Sequence, residues 1–282
     1  MISALDHCVL ICPDLQVGAD TYGALLGRGP DWVSRPEDGA AMALFRLANT
    51  AIELMAPIED GPVGDRLRQM LDDGGPRLTS LAFASDNVDA DRALFERRAL
   101  APSDISAGQS THAVSGDIRT WRRFRLSDAA CAGVKTFVVG EAAPSLQADP
   151  AAEGAVTALD HIVIATPNPE RAVAHYSGRL GLDFRLDRTA EQWNTRFLFF
   201  RTGGLTFEII HRLGTQSDRE GNDRIWGLTW AVDDLDAAHS RLSAAGHDLS
   251  EVRTGRKPGS RVFTVRDRTL EVPTLFIAHD GD

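Results

Sequence analysis

Cysteine is scarce in this 282-residue chain, which contains only three. Cys8 and Cys12 fall on one predicted strand, about 13 Å apart at a rise of ~3.3 Å per residue, which is too far for a disulfide. The odd count and the lack of a Cys-x-x-Cys pair are typical of a reducing compartment. We therefore expect a cytoplasmic protein whose thiols are small, buried apolar groups.

Positively charged residues are outnumbered by negatively charged ones. The 30 Lys and Arg residues face 40 Asp and Glu residues, so the formal net charge is −10. Because neutralising phosphates requires clustered Lys and Arg, this balance disfavours a nucleic-acid partner. No apolar run approaches the roughly 20 residues that span a bilayer, and the N-terminus lacks the features of a signal peptide. We expect a globular protein that binds neither nucleic acid nor membrane.

Several common catalytic motifs are missing as well. The sequence has no Gly-rich phosphate loop after a strand, no Gly-x-Ser-x-Gly elbow and no His-Glu-x-x-His helix. These absences remove the best-marked nucleotide-binding, serine-hydrolase and zinc-protease families. The strongest remaining signal is an internal repeat.

The repeat begins with the same four residues in each half. "ALDHCVLICP" starts at Ala4 and "ALDHIVIATP" starts at Ala158, and each is a short apolar strand closed by proline. Residues 141–158 are rich in Ala and Pro and are predicted to form a linker. The chain is thus predicted to form two similar domains, 1–140 and 159–282.

Each half contains a second strand–helix unit. "SLAFASDNVDADRAL" from Ser80 aligns without a gap with "GLTWAVDDLDAAHSR" from Gly227, and Asp86 and Asp233 are the predicted helix N-caps. Further strand-like segments follow every helix. The sequence therefore predicts four modules, with breaks near residues 75 and 220 and with odd and even modules forming separate classes.

This organisation resembles the vicinal oxygen chelate superfamily, which includes glyoxalase I, bleomycin-resistance proteins, methylmalonyl-CoA epimerases and extradiol dioxygenases. The residues that carry the resemblance are "LDH" before an apolar strand, "RLGLDF" after the third module's helix and "VDDLDAAHSRLSAAG" in the fourth module. The resemblance implies an α+β fold of four βαβββ modules that form two half-barrel domains. It specifies activity less well than fold.

In this superfamily, metal ligands lie on the first and last strands of the modules. The matching first-strand positions are His7, Ser80, His161 and Gly227, and the last-strand positions are Glu53, Thr136, Glu208 and Thr274. Odd modules thus keep a His–Glu pair that even modules lack. The resemblance makes His7, Glu53, His161 and Glu208 candidate ligands for a divalent metal (Zn, Fe, Mn or Ni).

Two arrangements of the modules remain open from the sequence. If neighbouring modules pair, each barrel has one His and one Glu; if the first module faces the third, all four residues meet. We expect each pair to approach within its own half, because tandem neighbours usually pack together. His161 and Glu208 are the catalytic candidates, since strand alternation places Glu208 on the inward face. A partly buried carboxylate beside His is a useful general base even without metal, whereas strand histidines can also be purely structural.

A compact basic segment and two tryptophans surround the second pair in the sequence. The segment "EVRTGRKPGSRVF" is read either as an anion clamp or as a solvated turn, and the aromatic residues as cavity walls or as core. The predicted substrate-binding residues are Trp193, Arg196, Trp226, Arg253, Arg256, Lys257 and Arg261.

These observations favour a glyoxalase-like lyase or isomerase that acts on a small oxygenated metabolite, which is anionic if the basic segment is an anion clamp. The enzymatic alternative is extradiol-type ring cleavage, and the other class is a metal-free binding protein of the bleomycin-resistance type. The expected partner is a small molecule, and the chain is expected to be a monomer or a homodimer.

Overall fold

The structure, a computed structural model, describes residues 1–140, 151–214 and 219–279. Each half contains one eight-stranded sheet. The first sheet consists of β1 (Ile2–Ile11), β2 (Trp32–Val33), β3 (Ala40–Arg46), β4 (Ala51–Pro57), β5 (Arg77–Ser85), β6 (Ser106–Thr111), β7 (Ile118–Arg125) and β8 (Lys135–Gly140). The second consists of β9 (Val156–Ala165), β10 (Asp183–Ala190), β11 (Thr195–Thr202), β12 (Leu205–Arg212), β13 (Arg224–Val232), β14 (Arg253–Thr254), β15 (Ser260–Val265) and β16 (Thr274–His279).

Within the described residues, five α-helices connect these strands. They are α1 (Leu15–Leu26), α2 (Pro62–Gly74), α3 (Val88–Arg97), α4 (Pro169–Val173), which continues as a π-helical segment (Ala174–Arg179), and α5 (Leu235–Ala244). Asp14, Asn87, Asn168 and Asp234 are the side-chain N-caps of α1, α3, α4 and α5. The caps predicted at Asp86 and Asp233 are each one residue too early. Within the described ranges, no helix is long and apolar enough to cross a membrane.

The strand order confirms four βαβββ modules. The first sheet has the order β2-β3-β4-β1-β5-β8-β7-β6, and the second repeats it as β10-β11-β12-β9-β13-β16-β15-β14. In both, two antiparallel first strands (β1–β5, β9–β13) form the centre, and each pairs in parallel with the last strand of its own module. Neighbouring modules therefore share a sheet, and the first module does not face the third.

The segment between the halves was predicted as a linker over 141–158. Strand β9 begins at Val156, two residues before that predicted end, and Ala152 donates its backbone N–H to Gly27 O. Residues 141–150 lie outside the described ranges.

The first sheet closes on itself. Its two outermost strands meet where Arg35 N donates to Thr111 O (2.8 Å), Ala113 N donates to Val33 O (2.7 Å), and Ser34 and His112 form a β-bridge. Among the described residues, no strand pairing joins β10 to β14 in the second sheet. The first half is therefore a closed barrel and the second is open along one side.

The two sheets share one hydrophobic core. Phe83 of β5 stacks on Phe207 of β12, with ring centroids 5.8 Å apart, and one buried cluster contains residues of both halves and their helices. Cys8 and Ile162 point into this core. Because strand side chains alternate, the neighbouring His7 and His161 lie on the opposite faces, inside their respective barrels.

Candidate functional site

The second-half site is built from the central strands β9 and β12. Thr206 lies in register with His161, so Glu208 follows two residues further on the same face of β12. His161 Nε2 lies 3.3 Å from Glu208 Oε2, and both side chains are mostly buried. The predicted approach of this pair is present in the structure.

Two further side chains contact the imidazole, and a third contacts one of them. Asp160 Oδ1 lies 2.8 Å from His161 Nδ1, and Thr229 Oγ1 lies 2.8 Å from its Nε2. The other oxygen of Asp160 is 2.8 Å from His279 Nε2. A carboxylate only accepts, so the Asp160 contact favours a proton on Nδ1 and leaves Nε2 of neutral His161 as an acceptor.

Burial and charge set the proton affinities of the two carboxylates in opposite directions. Desolvation raises the pKa of Glu208, and the nearby His161 and Arg256 only partly oppose that shift. Burial would also raise the pKa of Asp160, but hydrogen bonds from His161 and His279 outweigh it and hold this pKa at about 2. Asp160 is therefore a permanent anion that orients His161, while Glu208 is a stronger base than an ordinary carboxylate.

The side chain of Arg256 lies at the opening of the second barrel. The guanidinium carbon of Arg256 lies 3.8 Å from the centre of the Trp193 ring and 5.8 Å from that of Phe197. Phe199 stacks on Phe197 and pairs in register with Glu208. Trp193 comes from the β10–β11 side and Arg256 from the β14–β15 turn, so the two edges of the open sheet approach each other here.

The structure separates the other predicted substrate-binding residues from this cavity. Arg196 makes two hydrogen bonds to Asp187 and one to Glu170, and Arg261 makes two to Asp236. These arginines lie on the helix-bearing face, because strand alternation turns them away from Glu208 and local carboxylates hold them. Of the predicted basic segment, only Arg256 reaches the pair.

The remaining three predicted residues are exposed. Trp226 is 42% exposed and lies at an irregularity in the β9–β13 pairing. Arg253 is exposed on the edge strand β14, and Lys257 is exposed in the turn, where its backbone carbonyl accepts from Ser260. In the described part of the chain, none of the three makes a hydrogen bond or an ion pair with His161 or Glu208.

The first half repeats the arrangement with looser geometry. His7 Nδ1 lies 2.6 Å from Asp6 Oδ1, while His7 Nε2 and Glu53 Oε2 are 3.8 Å apart, beyond hydrogen-bonding distance. Burial alone lowers the pKa of His7, but the carboxylates of Glu53 and Asp6 outweigh it, so this pKa is raised. The pair approaches as predicted, yet it lacks the direct contact found in the second half.

The register corrects two predicted positions in the even modules. Glu208 pairs with Val163, the second residue after His161. In the fourth module, the second residue after Gly227 is Thr229, and its partner on the last strand is Leu275. In the second module the corresponding partner is Phe137. Thr274 and Thr136 are each one residue away, buried on the core face with their hydroxyls bonded to local backbone. The even modules therefore have apolar side chains at the positions where the odd modules have glutamates.

The first-strand positions of the even modules also lack ligands. Gly227 has no space for a side chain, because a Cβ there would lie 2.7 Å from Pro273 O. Ser80 is buried and bonded to the Thr79 hydroxyl. The residue of β13 that does reach the imidazole, Thr229, was not predicted.

The donor sets do not fit a tightly held metal ion. Each barrel offers one imidazole and one glutamate, and the described residues contain no group of three His, Cys, Asp or Glu side chains that could hold one. Protein metal sites generally use three or four ligands. The four candidates do not meet, because the two pairs lie in different sheets on the faces away from the shared core.

Sequence reasoning missed Asp160, Thr229 and His279. The repeated Asp-His dipeptide was a usable signal for Asp160, since it also places Asp6 on His7 in the first half. No sequence signal marked Thr229 or His279, because their contacts depend on strand register and on where β16 ends.

Comparison with known proteins agrees with this architecture. A family model described as a glyoxalase-like domain matches residues 5–156, more than half of the chain. A second, described as the glyoxalase/bleomycin resistance protein/dioxygenase superfamily, matches residues 160–264. No curated protein matches the chain.

Two solved structures are similar over the whole chain. A mutant of 4-hydroxymandelate synthase from Streptomyces coelicolor has a TM-score of 0.71 at 16% identity, covering 99% of this chain and 93% of that one. A xylose isomerase-like TIM barrel/4-hydroxyphenylpyruvate dioxygenase fusion protein has a TM-score of 0.66 at 14% identity, covering 100% of this chain and 49% of that one. At these identities the likeness is one of fold. Together with the family models, it shows that this chain belongs to the glyoxalase/bleomycin resistance protein/dioxygenase superfamily.

Proposed function

We propose that the second half catalyses proton transfer on a small oxygenated metabolite, as an isomerase or a lyase. The observation that carries this proposal is the contact between His161 and Glu208 at 3.3 Å inside an open half-barrel, with Asp160 fixing the far side of the imidazole. A base and an acid within reach of one substrate carbon are what such chemistry requires.

The roles follow from the surroundings of each group. Glu208 is desolvated and is the candidate base that removes a proton from a carbon next to a carbonyl. His161 is the partner that carries a proton between substrate oxygen and Nε2, with Asp160 stabilising the imidazolium. An isomerase returns the proton to the neighbouring carbon, whereas a lyase uses it to protonate the leaving group.

Arg256 supports an anionic substrate. Its guanidinium stacks on Trp193 at the cavity mouth, and its positive charge partly opposes the rise in the pKa of Glu208. A stacked guanidinium presents its N–H groups edge-on to a carboxylate. Ring cleavage of the extradiol type has less support, because the fourth module has Gly227 and Leu275 at the positions where metal ligands would be needed.

A sequestering protein is the second candidate. It is favoured by the aromatic row Trp193, Phe197 and Phe199, which lines the cavity beside Arg256 and would bind a planar ligand without chemistry. Such a protein would bind a ligand in this cavity but would leave it unchanged.

Proton exchange in D₂O separates the two candidates. The protein is incubated with a panel of small hydroxy and keto carboxylates, aldehydes and catechols, with and without Zn, Fe, Mn or Ni, and substrate C–H signals are followed by ¹H NMR. We expect deuterium incorporation with at least one carbonyl compound, and its loss in His161→Ala and Glu208→Gln.

The first half provides matched controls. His7→Ala and Glu53→Gln change the equivalent pair and should leave the exchange rate within about threefold. Saturable binding with no exchange or turnover under any metal would favour sequestration. Equal loss in His7→Ala and His161→Ala would contradict the assignment of catalysis to the second half.

A further inference from the structure

The closed barrel of the first half contains a buried guanidinium with unsatisfied donors. Arg119 lies on β7 and is only 7% exposed, and its Nε and Nη1 are inaccessible to water and have no hydrogen-bond partner. Such a group is costly, because a buried charge normally keeps its hydrogen bonds. Arg119 belongs to the first half and is not part of the His161–Glu208 site.

Other charged groups inside the barrel do not resolve the deficit. Arg46 approaches Arg119, and its own Nε is also buried without a partner. Asp6 and Glu53 attract Arg119 electrostatically, but Asp6 is hydrogen-bonded to His7 at 2.6 Å. The interior therefore gathers two guanidinium groups and an imidazole around two carboxylates, and when the imidazole is protonated one positive charge is left uncompensated.

The geometry around Arg119 defines a bounded space. The Trp32 ring lies under the guanidinium, 5.2 Å from ring centre to guanidinium carbon, and its Nε1 donates to Ser110 at 3.0 Å. The side chains of His7 and Glu53 are 18% and 14% exposed despite lying inside a closed barrel, so solvent reaches them there. Their nearest atoms stand 3.8 Å apart.

We propose that this first-half barrel binds a small carboxylate, whose oxygens accept hydrogen bonds from Nη2 of Arg119 and from the terminal guanidinium nitrogens of Arg46, above the Trp32 ring. A carboxylate suits this pair because its two planar oxygens match the N–H groups of a guanidinium. The two halves would then hold separate ligand sites, and this proposal stands whether or not the second half is catalytic.

The indole of Trp32 provides a direct probe. The protein has five tryptophans, so five indole N–H signals are followed by ¹H–¹⁵N NMR during titration with sodium acetate or sodium oxalate, against sodium chloride at matched ionic strength. Trp32→Phe assigns its signal. We expect a saturable shift of the Trp32 indole with a carboxylate and none with chloride.

Variants locate the ligand. Arg119→Met should remove the shift, Arg46→Met should weaken binding at least tenfold, and Arg256→Met in the other half should leave it unchanged. If Arg119→Met does not fold, the wild-type titration and Arg46→Met still decide the question. A Trp32 signal that does not move, or that moves equally with chloride, would overturn the proposal.

Discussion

Asp160 holds His161 by its Nδ1 at 2.8 Å, and Asp6 holds His7 in the same way at 2.6 Å in the other half. In each case the two residues are adjacent in the chain in the middle of a central strand. The repeated Asp-His dipeptide is therefore a structural unit that fixes the ring orientation and directs Nε2 towards a glutamate.

Asp160 should make the stability depend on acid pH. Its pKa is about 2 in the folded protein against an ordinary 3.8, so the stabilisation is full above about pH 4 and is lost as the pH falls towards 2. Asp160→Asn should lower the free energy of unfolding at pH 7 by about 1–2 kcal/mol and flatten its pH dependence in that window. Urea unfolding at pH 2–7 measures this. Identical curves for both proteins would contradict it.

Glu208→Gln should stabilise the fold while abolishing proton exchange. Burial raises the pKa of Glu208, so the folded state binds a proton that the unfolded state has already released, and stability falls as the pH rises through the folded pKa. Removing the charge should raise the free energy of unfolding at pH 7 by about 0.5–1 kcal/mol. Denaturant unfolding and the exchange assay are run on the same samples. A destabilised variant would show that the ionised carboxylate is needed for folding.

Trp193→Ala should weaken binding of an anionic ligand with little effect on stability. Loss of the Arg256 stacking contact is worth about 0.5–2 kcal/mol, or roughly 3- to 30-fold in affinity. Calorimetric titration of the ligand found in the exchange panel measures the effect. Trp226→Ala is the matched control, since Trp226 is also an exposed indole of the second half but makes no cation–π contact with a described residue. An equal loss in both variants would argue against a specific role for the Arg256 stack.

Phe83→Ala should destabilise both halves together. The ring is fully buried and stacks on Phe207 across the shared core, so its removal should cost about 3–5 kcal/mol. Calorimetry should show one transition that moves to lower temperature as a whole. Two separate transitions, with only the first shifted, would mean that the halves unfold independently.

The fold could be predicted from the sequence because its signals are local and repeated. The apolar strand after "LDH" and the capped helix after it follow from residues close in sequence, and each appears twice. The capping positions at Asn87 and Asp234 were missed by one residue, because two adjacent polar residues compete for the same N-cap.

The candidate site could be predicted only in part. The His161–Glu208 contact follows from two strands with clear alternation, but Arg196 was placed wrongly because its carboxylate partners come from β10 and α4. Thr229 lies on β13, whose pairing with β9 contains register shifts that no local pattern reveals. Arg119 lies on β7, and its approach to Arg46 and Glu53 depends on the curvature of the folded sheet. Contacts across a sheet require register, and register is a property of the folded chain.

The stacking of Phe83 on Phe207 limits how each half can change during evolution. Each half covers apolar surface that the other would otherwise expose to water, so neither can be deleted without leaving its sister prone to aggregation. A duplicated half that loses its chemistry is therefore retained as a scaffold, and its interior is free to acquire a different ligand.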